Sequence, residues 1–217
     1  MAKPYLHYEL FEINDDLNPI LKDVGPYQYL SIDNFYKRPD DIFKMLSNSW
    51  IPNWSLRVRE DPDEDHNFKD YYDCRLTFPA QDRTISFFKE IDLIKTDIKN
   101  HYCTKLYTNT FSWINVPSSN FQMMPHEEDS LNFIVYMDKI NSGGTALYEN
   151  FKLNSDTNRD IDIRYNIEDS KCHVIPADFN KCVIFNGRIP HGGYIDDHNQ
   201  YTNGNWRQTL AYFFEHA

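Results

Sequence analysis

After residue 104 the chain becomes a succession of short β-type runs, at 106–116, 121–126, 131–137, 144–149, 172–175, 181–186 and 207–214, with no helical period between them. Strands that follow strands directly pair antiparallel, because a parallel return needs a crossover of about a dozen residues or more. The order predicts a mainly β fold, a sandwich or barrel, with helices from the first half packed on its outside. In that first half, residues 28–36 alternate as a strand does and run into Lys37-Arg38-Pro39-Asp40-Asp41. Pro39 suits a first helical position, Asp40 and Asp41 complement the positive end of the helix dipole, and Ile42, Phe43 and Leu46 make one apolar face. Phe87, Ile91, Ile94 and Ile98 predict a second helix over Thr84 to Asn100. Residues 52–70, acidic and carrying Pro52 and Pro62, are read as loop, and the polar stretch 150–170 as a long surface insertion. The whole of 1–217 is read as one domain, with 1–104 a supporting strand and helices and 105–217 the β core.

Composition narrows the function classes. With 22 basic against 33 acidic residues the net charge is −11, so the chain has no global attraction for phosphate backbones, and nucleic acid is excluded as a partner. No apolar run reaches the roughly 18 residues of a membrane span, and the first residues lack the apolar stretch of a signal peptide, so the expectation is a cytoplasmic protein without membrane contact. Cys74, Cys103, Cys172 and Cys182 show no C-x-x-C spacing, which leaves reduced thiols as the reading.

Three clusters carry chemistry: Pro125-His126-Glu127-Glu128-Asp129, Pro190-His191-Gly192-Gly193 and Arg207-Gln208-Thr209. Residues two apart on a strand share a side, so His126 and Glu128 present an imidazole and a carboxylate together. With His191 they make two histidines and one carboxylate, the donor set of the facial triad of non-haem Fe(II) oxygenases; the same donors suit zinc. Asp129, beside Glu128, is an alternative carboxylate. Arg207 heads an otherwise apolar strand, where a guanidinium needs a carboxylate or phosphate partner, and Thr209 shares its side and offers a hydroxyl to the same anion.

The order of these places resembles the Fe(II)/2-oxoglutarate-dependent dioxygenases, in their prolyl-4-hydroxylase-like branch. The matching segments are His126-Glu127-Glu128, Tyr136-Met137-Asp138, Ser142-Gly143-Gly144-Thr145, Val183-Ile184-Phe185-Asn186 leading to His191, and Arg207 to Phe214, within about residues 106–215. The family's usual acid ligand is Asp where this chain has Glu128, and the gap from His191 to Arg207 is longer than in many members, which predicts a loop over Asp196 to Asn205.

The resemblance implies a double-stranded β-helix, also called a jelly roll or cupin-like fold. It implies Fe(II) held by His126, Glu128 and His191, with O2 and 2-oxoglutarate as co-substrates, and Arg207 and Tyr136 on the distal carboxylate of 2-oxoglutarate. The implied reaction is hydroxylation of a small-molecule or peptide substrate with release of succinate and CO2. A non-catalytic jelly-roll module binding sugar or peptide, and a zinc-dependent hydrolase, are the competing readings.

Overall fold

The computed structural model describes residues 8–47, 55–58, 71–75, 81–93, 105–113, 127–128, 131–140, 142–150, 171–197, 200 and 207–213. Among the described residues, eleven strands and two α-helices follow a short 3-10 turn, Tyr8–Phe11. The strands are β1 (Ile20–Val24), β2 (Tyr27–Ile32), β3 (Ser55–Val58), β4 (Tyr71–Arg75), β5 (Lys105–Trp113), β6 (Leu131–Tyr136), β7 (Gly144–Glu149), β8 (Lys171–Pro176), β9 (Lys181–Asn186), β10 (His191–Tyr194) and β11 (Arg207–Phe213). The helices are α1 (Pro39–Leu46) and α2 (Asp82–Glu90).

All described pairings are antiparallel. Eight strands form a large sheet in the order β1-β2-β9-β6-β11-β5-β4-β3, and three form a small one, β10-β7-β8. The expectation of a mainly β fold with helices outside it is met. The double-stranded β-helix is not: β1 and β3 end the large sheet, β10 and β8 end the small one, and no ladder among the described residues joins the two into a barrel. Closure needs every edge strand to find a partner, and these edges end in residues such as Ile20 and Leu21, which stay exposed.

Three central strands are sandwiched between two apolar layers, and their period-two alternation sorts residues between them. Phe133, Val135, Cys182, Ile184, Leu210 and Tyr212 turn to one side, where they join Phe35, Tyr36, Phe87 and Phe88 and the buried residues of α1. Tyr136, Val183 and Phe185 turn to the other, against Leu147 and Ile175 of the small sheet. The layers are therefore helices, large sheet and small sheet. On the helix side Phe88 is fully buried, stacked on Phe35 at 6.0 Å, tilted against Phe133 at 4.7 Å and edge-on to Tyr212 at 5.8 Å. The Tyr36 and Tyr212 hydroxyls hydrogen-bond to each other in this layer, and burial pushes both phenols far above their ordinary range.

Helix α1 starts at Pro39 as expected, but its buried face is Ile42, Met45 and Leu46. Phe43 lies beside that face, edge-on to Phe179, with the Lys139 ammonium 5.1 Å from its ring. Helix α2 is shorter than its apolar period predicts. Asp92 takes a left-handed φ of 58°, its N–H donates to the Lys89 carbonyl at 3.0 Å, and the Leu93 N–H donates to the Phe88 carbonyl at 3.0 Å. This is a Schellman stop, which satisfies the last carbonyls and ends the helix. Residues 94–100, 121–126 and 151–170, given sequence readings above, lie outside the described residues. The stretch read as loop contains β3, and β1, β4 and β10 are strands the period did not identify.

Removing the Phe88 ring leaves a void that Phe35, Phe133 and Tyr212 cannot all close. Phe88→Ala is expected to lower the unfolding free energy by about 3–5 kcal/mol in urea titration, whereas Leu21→Ala, on an exposed edge, should stay within about 0.5 kcal/mol of the parent.

Candidate anion site between the sheets

The interior between the two sheets is apolar toward β2 and β9 and polar toward β6 and β11. Tyr136, at the end of β6, is fully buried, and its hydroxyl shares a 2.7 Å hydrogen bond with Thr145 Oγ1 of β7. Desolvation pushes the phenol well above its usual range, although the Thr145 bond and the Arg207 guanidinium favour ionisation. It therefore keeps its proton. Thr209 is buried directly opposite Tyr136 in the β11–β6 register.

Arg207 opens β11 with only 3% of its surface exposed. One guanidinium nitrogen, Nη2, donates to the Gly144 carbonyl across the interior at 2.8 Å, while Nε has no hydrogen-bond partner among the described residues. The approach to Gly144 depends on glycine. Its φ is 152°, and a Cβ there would lie 1.9 Å from the Ile175 carbonyl oxygen; at Gly143, with φ 71°, a Cβ would lie 2.2 Å from the Tyr194 carbonyl. Gly143-Gly144 thus lets β7 start between β8 and β10, its two neighbours in the small sheet.

Asp138 is the residue that sequence reasoning missed. Thr209 pairs with Tyr136, and the Met137 N–H donates to the Gln208 carbonyl at 2.9 Å, so continuing the register places Asp138 opposite Arg207. Asp138 is 3% exposed, yet among the described residues neither carboxyl oxygen makes a well-formed hydrogen bond and no Arg207 nitrogen lies within the 4.0 Å of an ion pair. Burial pushes its pKa up to about 6, against the pull of Arg207 and of the backbone N–H groups of Gln208 and Ile140. The signal was available: Asp138 is two residues past Tyr136 and shares its face.

Of the expected metal ligands, the structure describes Glu128 and His191. His126 and the alternative Asp129 lie outside the described residues. Glu128 is anchored through its N–H to the Gly187 carbonyl at 2.8 Å. His191, buried at the start of β10, uses both ring nitrogens: Nδ1 donates to the Ile189 carbonyl at 2.7 Å, and Nε2 accepts from Asn132 Nδ2 at 2.7 Å. Phe185 packs edge-on against the imidazole at 5.0 Å. Among the described residues no group of three His, Cys, Asp or Glu side chains is placed to hold a metal ion. Together with the open sheets, this overturns the reading as an Fe(II)/2-oxoglutarate dioxygenase or hydroxylase and the family resemblance behind it. The zinc hydrolase, which needs the same donors, falls with it.

No family model matches the chain, and no curated protein or solved structure matches it either. No helix among the described residues is long and apolar enough to cross a membrane.

Because folding raises the Asp138 pKa from 3.8 to about 6, the native state favours the protonated acid. The ionisation cost is absent below about pH 4, grows between pH 4 and 6 and is complete above that range, on the order of 2–3 kcal/mol. Asp138→Asn is accordingly expected to be more stable than the parent at pH 7.5 by up to that amount, with the difference vanishing at pH 4 in parallel urea titrations.

Proposed function

We propose that the chain is a binding domain that seats the carboxylate of a small molecule on Arg207, between the two sheets. The observation that carries this reading is a buried guanidinium that, among the described residues, pairs with no carboxylate and leaves Nε without an acceptor. A buried charge held without its counter-ion costs several kcal/mol, and a planar carboxylate is the group whose two oxygens match the guanidinium fork. Tyr136, Thr145 and Thr209 are hydroxyl-bearing residues of the same interior, with which a ligand can share hydrogen bonds.

Charge favours a carboxylate over a phosphate. Asp138 opposite Arg207 and the net −11 of the chain both penalise a dianionic head more than the single charge of a carboxylate. The 2-oxoglutarate implied by the sequence belongs to this class and is retained here as a ligand to be tried, without iron. Cys172 and Cys182 are free thiols, in keeping with a reducing, cytoplasmic setting.

The test is a thermal-shift titration at low ionic strength with acetate, succinate and 2-oxoglutarate. A ligand at about 100 times its Kd stabilises the native state by about 2.7 kcal/mol, which for a chain of this size raises Tm by roughly 5 °C or more. The rise should saturate in the parent and vanish in Arg207→Gln. If no carboxylate raises the parent's Tm, or if Arg207→Gln responds equally, the reading is wrong.

A further inference from the structure

We infer that the ligand is a zwitterion with an amine beside its carboxylate, of the free α-amino acid class, Arg207 receiving the carboxylate and Asp138 the ammonium. The inference rests on the carboxylate site proposed above and names its ligand more narrowly. Arg207 and Asp138 stand opposite each other by register, both 3% exposed, and yet form no ion pair. Cross-strand neighbours have Cβ atoms about 5 Å apart, well within reach of direct pairing. Here the guanidinium instead extends to the Gly144 carbonyl, and Asp138 keeps two oxygens short of well-formed hydrogen bonds. The pair therefore presents an acceptor need on Arg207 Nε and, on Asp138, a carboxylate served only by the loosely placed N–H groups of Gln208 and Ile140 and by no cation in ion-pair contact.

Charge balance selects among ligands. With Asp138 ionised, a simple carboxylate bound at Arg207 leaves this buried group with one uncompensated negative charge, and a simple amine bound at Asp138 leaves one positive. A zwitterion leaves none, and each of its charged groups meets an opposite charge in a low-dielectric interior. Its amine and carboxylate are attached to one carbon, a spacing that suits two receptor groups on adjacent strands.

The test compares each amino acid with the acid that lacks only its amine: L-alanine with propanoate, L-phenylalanine with 3-phenylpropanoate, and L-glutamate with glutarate. Affinities are measured by calorimetry at pH 7.5 on the full chain. At least one amino acid should bind roughly tenfold to a hundredfold more tightly than its deaminated partner, the range of a hydrogen bond to a charged group. In Asp138→Asn that preference should disappear while the carboxylate still binds, and circular dichroism checks that the variant is folded. Equal or tighter binding of the deaminated acids by the parent overturns the inference and leaves the carboxylate site standing. So does a preference that survives in Asp138→Asn. Binding of neither series overturns both.

Discussion

The central strands β9, β6 and β11 have no face in water, and the rest of the molecule is arranged by that constraint. Each residue along them must suit one of two different interiors, and a slip of one position exchanges the two sets. Phe133, Val135 and Leu210 must reach the aromatic layer under the helices, while Tyr136, Val183 and Phe185 must reach the small sheet. A slip would drive Arg207 and Asp138 into the packed rings around Phe88, where neither charge has any partner.

The inner layer is uneven along the sheet. Around Tyr29, Leu147, Ile175, Val183 and Phe185 it is an ordinary apolar core. Toward β11 the same layer contains a guanidinium, a carboxylate and paired hydroxyls, all sheltered from water. Low dielectric magnifies every charge there, which is why Asp138 ionises with difficulty. The close approach of β7 that brings the Gly144 carbonyl to Arg207 exists only because two consecutive residues lack a Cβ.

Much of the fold was legible locally. Pro39 with two following aspartates marked the start of α1, and the apolar runs located β5, β6, β7, β8, β9 and β11. The failures have local causes as well. The stop of α2 uses Asp92 in a left-handed conformation that Gly or Asn usually fills, so the apolar period seemed to run on. Strand β10 reads His191-Gly192-Gly193-Tyr194, whose glycines suggest a turn; they are ladder residues paired with Ala146 and Thr145. The oxygenase expectation rested on the linear order of a histidine-x-acid segment, a glycine pair, a distal histidine and an arginine. Linear order does not reveal whether sheet edges meet, nor that Asn132 occupies the Nε2 of His191.

Sequence alone determined which residues share a face, because a strand's side chains alternate whatever its neighbours are. That was enough to place Arg207 and Thr209 on one side and to expect an anionic partner for the guanidinium; that both residues are buried is a finding of the structure. Only the tertiary structure decided which strands are neighbours and in what register, since pairing is settled by hydrogen bonds and packing summed over residues far apart in the chain. The placing of Asp138 opposite Arg207 comes from 69 positions of sequence separation closed by the β6–β11 ladder. So does their failure to pair, because the Gly144 carbonyl that draws the guanidinium away belongs to the other sheet.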